Sequence, residues 1–196
     1  CTILVLAALA LGGGEAPPPT HVRVAAVQFH SGMGQVERHR TGLARLVREA
    51  AGKGAKIVVL PEAAVSGYAD LDNDVFWSET DPPEPGFVAA STVAEAVDGP
   101  SVKFFAAIAA ELQIYLTVPF VEKAGGRYYN TAVLLGPDGK VRIHYRKQHL
   151  WTGADPSWVT RGDLGTPVID TEYGRIGVMI CYDVNYLLPE FQEKSA

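Results

Sequence analysis

The sequence predicts a layered α/β fold built on a mixed sheet, and three observations carry that expectation. Amphipathic helical stretches alternate with short strand-like ones, one of the short stretches is apolar with no polar face to spare, and several are joined by turns too tight for a crossover. Val22 to Phe29 reads as the first strand, rich in β-branched and small residues and bounded by turn formers. A helix follows over about Gln35 to Gly52, where Val36, Leu43, Leu46, Val47 and Ala50 share a face and Gly52 and Gly54 supply the stop. Lys56 to Leu60 is a short apolar strand of the kind found in sheets covered on both sides.

Asp98-Gly99-Pro100-Ser101 opens a second helix, Val102 to Gln113, with Phe105, Ile108, Ala109 and Leu112 turned inward. The strand Ile114 to Val121 comes next. Gly125-Gly126 turns the chain into Tyr128 to Leu135, and Gly136-Pro137-Asp138-Gly139 turns it again into Lys140 to Tyr145, so these neighbours are antiparallel. Gln148 to Thr166 has no period and reads as a long loop. Pro167 to Asp170 and Arg175 to Ile180 form a last hairpin around Glu172-Tyr173-Gly174. No internal repeat and no second domain is visible.

The 196 residues, 47% hydrophobic and 20% charged, suit one soluble globular domain rather than a disordered or fibrous chain. A net charge of -5 without a basic patch excludes nucleic acid as the natural partner. The stretch from Tyr68 to Val102 holds eight acids and no Lys or Arg, and is expected to cover a pocket that favours cationic or neutral ligands. Residues 1–20 are set apart from the domain at 21–196. The run Ile3 to Leu11, with Gly12-Gly13-Gly14 and a Pro-rich linker behind it, is similar to the core and exit of a secretory signal and too short to span a bilayer. Export to a periplasm or the extracellular space is expected, with the cytoplasm as the alternative. Once such a leader is removed, Cys181 is the only thiol, which marks it as reactive.

Three residues carry the chemistry. Cys181 ends the apolar run Ile176 to Ile180, Glu62 follows Ile57-Val58-Val59-Leu60-Pro61, and Lys147 follows Arg142 to Arg146. A strand that delivers a side chain into a turn fixes it and exposes it at once. Cleaving an unactivated carbon-nitrogen bond takes a nucleophile, a proton shuttle and a group that stabilises the oxyanion. Cys181, Glu62 and Lys147 fill those roles, with the backbone N–H of Tyr182 as a further oxyanion donor. Glu62 needs a pKa raised by its apolar surroundings. His144 and His149 lack metal-ligand spacing, so neither a metal nor a cofactor is expected.

In this order, Leu60-Pro61-Glu62, Tyr145-Arg146-Lys147 and Ile180-Cys181-Tyr182-Asp183 resemble the three signature segments of the nitrilase superfamily, the carbon-nitrogen hydrolases. Val24 to Gln28, Ser66-Gly67-Tyr68 and Tyr129-Asn130-Thr131-Ala132 agree, and the resemblance covers about Val22 to Glu190. It implies an α-β-β-α sandwich, a Glu62, Lys147 and Cys181 triad, and a second glutamate, placed at Glu122, that orients Lys147 and Glu62. It also implies a thioester acyl-enzyme on Cys181 and no cofactor. Tyr182-Asp183, where nitrilases carry Trp-Glu, favours amide or carbamoyl substrates of an amidase or carbamoylase branch, while Gln148-His149-Leu150 resembles the biotinidase and pantetheinase group. N-acyl transfer from the same thioester and a non-catalytic scaffold are the alternatives. Family domains continue well past the nucleophile, so the C-terminal part is expected to be missing here, and a homo-oligomer is expected when the chain is full length.

Overall fold

The computed structural model describes residues 3–8, 21–68, 76–155 and 158–195. In chain order the elements are β1 (Ile3–Ala8), β2 (Val24–Ala26), α1 (Val36–Gly52), β3 (Ile57–Val59), β4 (Phe76–Ser78), β5 (Phe87–Ala89), α2 (Pro100–Leu112), β6 (Tyr115–Ala124), β7 (Arg127–Leu135), β8 (Val141–Arg146), β9 (Val168–Thr171), β10 (Gly174–Ile180) and α3 (Val184–Ser195). One sheet runs β2-β3-β6-β7-β8, parallel across its first three strands and antiparallel across the rest, which is the mixed sheet the sequence predicts. A second sheet, β1-β10-β9, is antiparallel throughout, and β4 and β5 form a short parallel pair.

Strand alternation builds two cores from one sheet. Val58, Leu60, Leu116, Val118, Val133 and Leu135 turn to one side and pack under Leu43 and Val47 of α1 and Phe105 and Ile108 of α2. Ile57, Val59, Tyr115, Leu134, Ile143 and Tyr145 turn to the other side and meet Ile176, Val178 and Ile180 of β10. Leu187 and Phe191 of α3 join that second cluster. The layers are therefore helix, sheet, sheet and helix, the sandwich that the family resemblance implies. Both faces of the short strand β3 are buried, as its apolar run requires.

The expected first strand, Val22 to Phe29, shrinks to Val24–Ala26, because its ladder among the described residues is with β3, itself three residues long. Ile3–Ala8, read above as part of an export signal, forms β1 and runs antiparallel to β10 from Ile3 opposite Ile180 to Ala8 opposite Arg175. The rest of residues 1–20 lies outside the described residues. Three further elements had no sequence expectation: β4 and β5, paired inside the acidic stretch, and α3 directly after the Cys181 turn.

Gly177 sits where α3 crosses β10, and a Cβ added there enters the van der Waals shell of the Phe191 ring. Gly177→Ala is expected to lower unfolding free energy by about 1–3 kcal/mol through overpacking. Pairing it with Phe191→Leu should recover part of that loss, as read by urea denaturation of the single and double variants.

Candidate active site

Glu62 lies in the turn after β3. Leu60 donates its N–H to the buried Thr117 hydroxyl of β6 at 2.9 Å, and Val65 donates its N–H to Pro119 O at 3.2 Å, so both shoulders of the turn are held on β6. Between them Ala63 takes φ +49° and Gly67 φ +87°, left-handed conformations that reverse the chain. Glu62 is 5% exposed, which places a carboxylate inside the protein rather than on a loop surface.

Lys147 follows β8 and is anchored through Asn130 of β7. The Lys147 N–H donates to Asn130 O at 2.8 Å, while the Asn130 side-chain amide donates to Glu62 Oε1 at 2.8 Å. The Lys147 Nζ then donates to the same Glu62 Oε1 at 2.8 Å and to Asp155 Oδ2 at 2.7 Å. One ammonium thus joins two buried carboxylates. Burial opposes the charge on Lys147, but Glu62 and Asp155 outweigh it and hold the amine above its ordinary pKa. For Glu62 burial is the stronger influence, and its carboxyl is pushed above the usual range against the pull of Lys147. The direction is the one expected of Glu62 from the sequence. Its second oxygen, Oε2, is buried and has no hydrogen-bond partner among the described residues.

Asp155 was not foreseen from the sequence. It is the only acid between Lys147 and Arg161, in a loop without periodicity, and that isolation was the one available signal. Its Oδ1 accepts the Tyr68 hydroxyl at 2.9 Å, and its Oδ2 also accepts the Trp151 N–H at 2.7 Å. The Tyr68 ring lies with its centroid 5.7 Å from Lys147 Nζ, adding a cation–π contact. Burial and the Asp155 charge drive the Tyr68 phenol well above its normal pKa, so it stays a donor.

Cys181 begins a 3₁₀ turn, Cys181–Asp183, where β10 ends, and has φ +47°. A non-glycine residue pays about 1–2 kcal/mol for that conformation, which lifts a side chain off the strand line. Asp183 accepts the Ile180 N–H at 3.1 Å and closes the turn, and it also accepts the Tyr145 hydroxyl at 2.6 Å and the His149 N–H at 2.8 Å. Tyr145 and His149 stand on either side of Lys147, so the Cys181 turn and the lysine segment are bound together. Tyr182 lies inside the turn, its ring edge-on to Tyr186 at 5.4 Å between centroids. Cys181 is disulfide-bonded in this 196-residue chain, unlike the lone thiol expected after leader removal. Reduction is needed before it can act as a nucleophile.

Glu122 does not take the expected place beside Lys147 and Glu62. It accepts hydrogen bonds from Thr131 Oγ1 at 2.7 Å and from Arg146 Nε at 3.0 Å and Nη2 at 2.7 Å, and faces His144 Nε2 at 2.8 Å. Successive residues leave a strand on opposite faces, so the glutamate that meets Arg146 is carried away from Lys147. Asp155 and Asn130 hold the lysine and the acid instead. Burial alone would raise the Glu122 carboxyl, but His144, Arg146 and Thr131 overcome it and hold the pKa at about 2. A depressed carboxyl stabilises the fold above its unfolded pKa, and that contribution is lost as pH falls toward about 2. Of the acidic stretch, Trp77 is buried in a cluster with Trp158, Val121 and Ala90, against which Tyr68 and Leu150 pack.

Lys147→Met leaves Glu62 and Asp155 buried without their cation, at an expected cost of about 3–5 kcal/mol near neutral pH. Without the lysine, burial holds the Glu62 carboxyl further above its unfolded value, so the folded state keeps that proton more tightly and the cost shrinks as pH falls. Thermal melts of the variant from pH 8 to pH 5 check this, and a loss independent of pH contradicts it.

Comparison with known proteins gives the arrangement its lineage. The family profile described as carbon-nitrogen hydrolase matches residues 23–189. The chloroplastic omega-amidase of Arabidopsis thaliana is 31% identical over 182 residues, which cover 87% of this chain and 45% of that protein. A nitrilase of Pyrococcus abyssi is 32% identical over 169 residues, 86% of this chain and 58% of the relative. The crystal structure of a carbon-nitrogen hydrolase from Helicobacter pylori superposes with a TM-score of 0.67 at 29% identity, covering 84% of this chain and 53% of that one. The chain thus spans about half the length of these relatives. With its α-β-β-α layers and with the profile matching most of its length, this chain belongs to the carbon-nitrogen hydrolase family.

Proposed function

We propose that this chain carries the catalytic centre of a thiol-dependent hydrolase that cleaves a non-peptide carbon-nitrogen bond, an amide or carbamoyl group of a small molecule. The observation that carries the reading is the asymmetry of Glu62. Lys147 and Asn130 hold Oε1, while Oε2 is buried and has no partner among the described residues, which suits it to accept a proton beside a fixed ammonium. The reduced Cys181 gives its proton to Glu62 and its sulfur adds to the carbonyl carbon. The oxyanion is met by Lys147 and the Tyr182 N–H. Glu62 returns the proton to the leaving nitrogen, the carbon-nitrogen bond breaks, and a thioester remains. Water then gives a proton to Glu62 and attacks the thioester. The acid leaves and the sulfur recovers its proton.

Amides and carbamoyl compounds are favoured over nitriles by Tyr182-Asp183 after the nucleophile, and the omega-amidase relative supports the same class. Export of the chain is part of this proposal on the composition of Ile3 to Gly14, and so is assembly with further copies. Among the described residues no helix is long and apolar enough to cross a membrane.

Intact-mass spectrometry of the reduced chain exposed to small primary amides and carbamoyl compounds tests the proposal. An acyl adduct that Cys181→Ala abolishes is expected, and Glu62→Gln should slow its formation by about 10²–10⁴-fold. Hydroxylamine should divert the adduct to a hydroxamate. A reduced, folded chain that forms no adduct with any of them points to a scaffold and overturns the reading.

A further inference from the structure

Asp183 is fully buried, and four donors converge on its two oxygens. Oδ2 accepts the Tyr145 hydroxyl at 2.6 Å and the Ile180 N–H at 3.1 Å. Oδ1 accepts the His149 N–H at 2.8 Å and faces the His149 Nδ1 at 3.2 Å, so that ring nitrogen carries the proton it donates. The other side of the His149 ring stacks on Tyr186, centroids 4.4 Å apart and planes 9° from parallel, which fixes the imidazole. These donors come from two separate parts of the site. Ile180 precedes the nucleophile, whereas Tyr145 and His149 lie two residues before and two after Lys147.

Closing the 3₁₀ turn needs only the bond from Ile180, and the remaining three exceed that need. They tie the β10 exit to the β8 exit, which belong to different sheets. The left-handed Cys181 backbone persists only if its surroundings over-determine it, and this carboxylate supplies such a constraint. We propose that Asp183 is a positioning residue whose carboxylate, through Tyr145 and His149, sets the distance between Cys181 and the Lys147 ammonium. The role rests on the reading of the site as a thiol hydrolase. A thiol held near an ammonium ionises more readily, and loosening the link raises its pKa.

The test is the pH profile of iodoacetamide alkylation at Cys181 in the reduced full chain, resolved by peptide mass spectrometry, for wild type, Tyr145→Phe, Asp183→Asn and Asp183→Glu. Thermal melts and amide turnover are read on the same samples. Tyr145→Phe is expected to move the profile up by about one pH unit, about tenfold less thiolate at neutral pH. Asp183→Asn should move it further, and Asp183→Glu should recover part of the shift. Should Asp183→Asn fail to fold, Tyr145→Phe, which keeps three of the four donors, decides. Coincident profiles with lowered melting temperatures overturn the proposal and leave a structural role. Displaced profiles in a chain without amide turnover sustain the link while removing the hydrolase reading. Coincident profiles in an active chain do the reverse.

Discussion

A single buried ammonium between two carboxylates is the constraint on which the site depends. Lys147 Nζ stands 2.8 Å from Glu62 and 2.7 Å from Asp155, with all three side chains buried. Such a cluster is costly to bury and stable only when its geometry is met in full. Here Asn130, Tyr68 and the Trp151 N–H supply further hydrogen bonds, while Glu62 Oε2 has no partner among the described residues. With two acids and one base, the cluster has one negative charge too many when fully ionised. Burial places the resulting proton demand on Glu62, whose pKa is raised, and leaves Lys147 charged. The same imbalance that strains the cluster thus leaves a carboxyl of raised pKa beside a fixed cation.

The sandwich brings these groups together because the strands that carry them end in the same region. β3 and β8 belong to one sheet and β10 to the other, and the apolar layer between the sheets aligns their ends. Glu62 and Lys147 are then joined directly, and the Cys181 turn is joined to the Lys147 segment through Asp183. Hydrophobic packing sets the coarse approach and hydrogen bonds set the fine one. Neither alone would hold a left-handed cysteine at a strand end.

Much of this was legible in the chain. The apolar runs ending at Pro61-Glu62, Arg146-Lys147 and Cys181 gave strands of the right place and order. Glycine turns located the antiparallel neighbours. What escaped reading depends on contacts between distant segments. Asp155 lies in an irregular loop, where no period announces which way a side chain turns. Glu122 looked like a partner for Lys147, yet strand alternation delivers it to Arg146. The short β4 and β5 strands lie in a stretch rich in acids and prolines, whose composition reads as surface, while Trp77 anchors it inside. The pairing of Ile3–Ala8 with β10 has no local signal, because an apolar run reads alike as a leader or as a strand.

The most direct measurement is a crystal structure of the chain with Cys181 reduced and a small amide bound. The account predicts one cavity in which the sulfur faces the amide carbon, with Glu62 Oε2 within hydrogen-bond reach of the sulfur or one water away, and Lys147 turned toward the carbonyl oxygen. A sulfur directed to another face, with Glu62 and Lys147 beyond reach of any atom the ligand shares with it, contradicts the account.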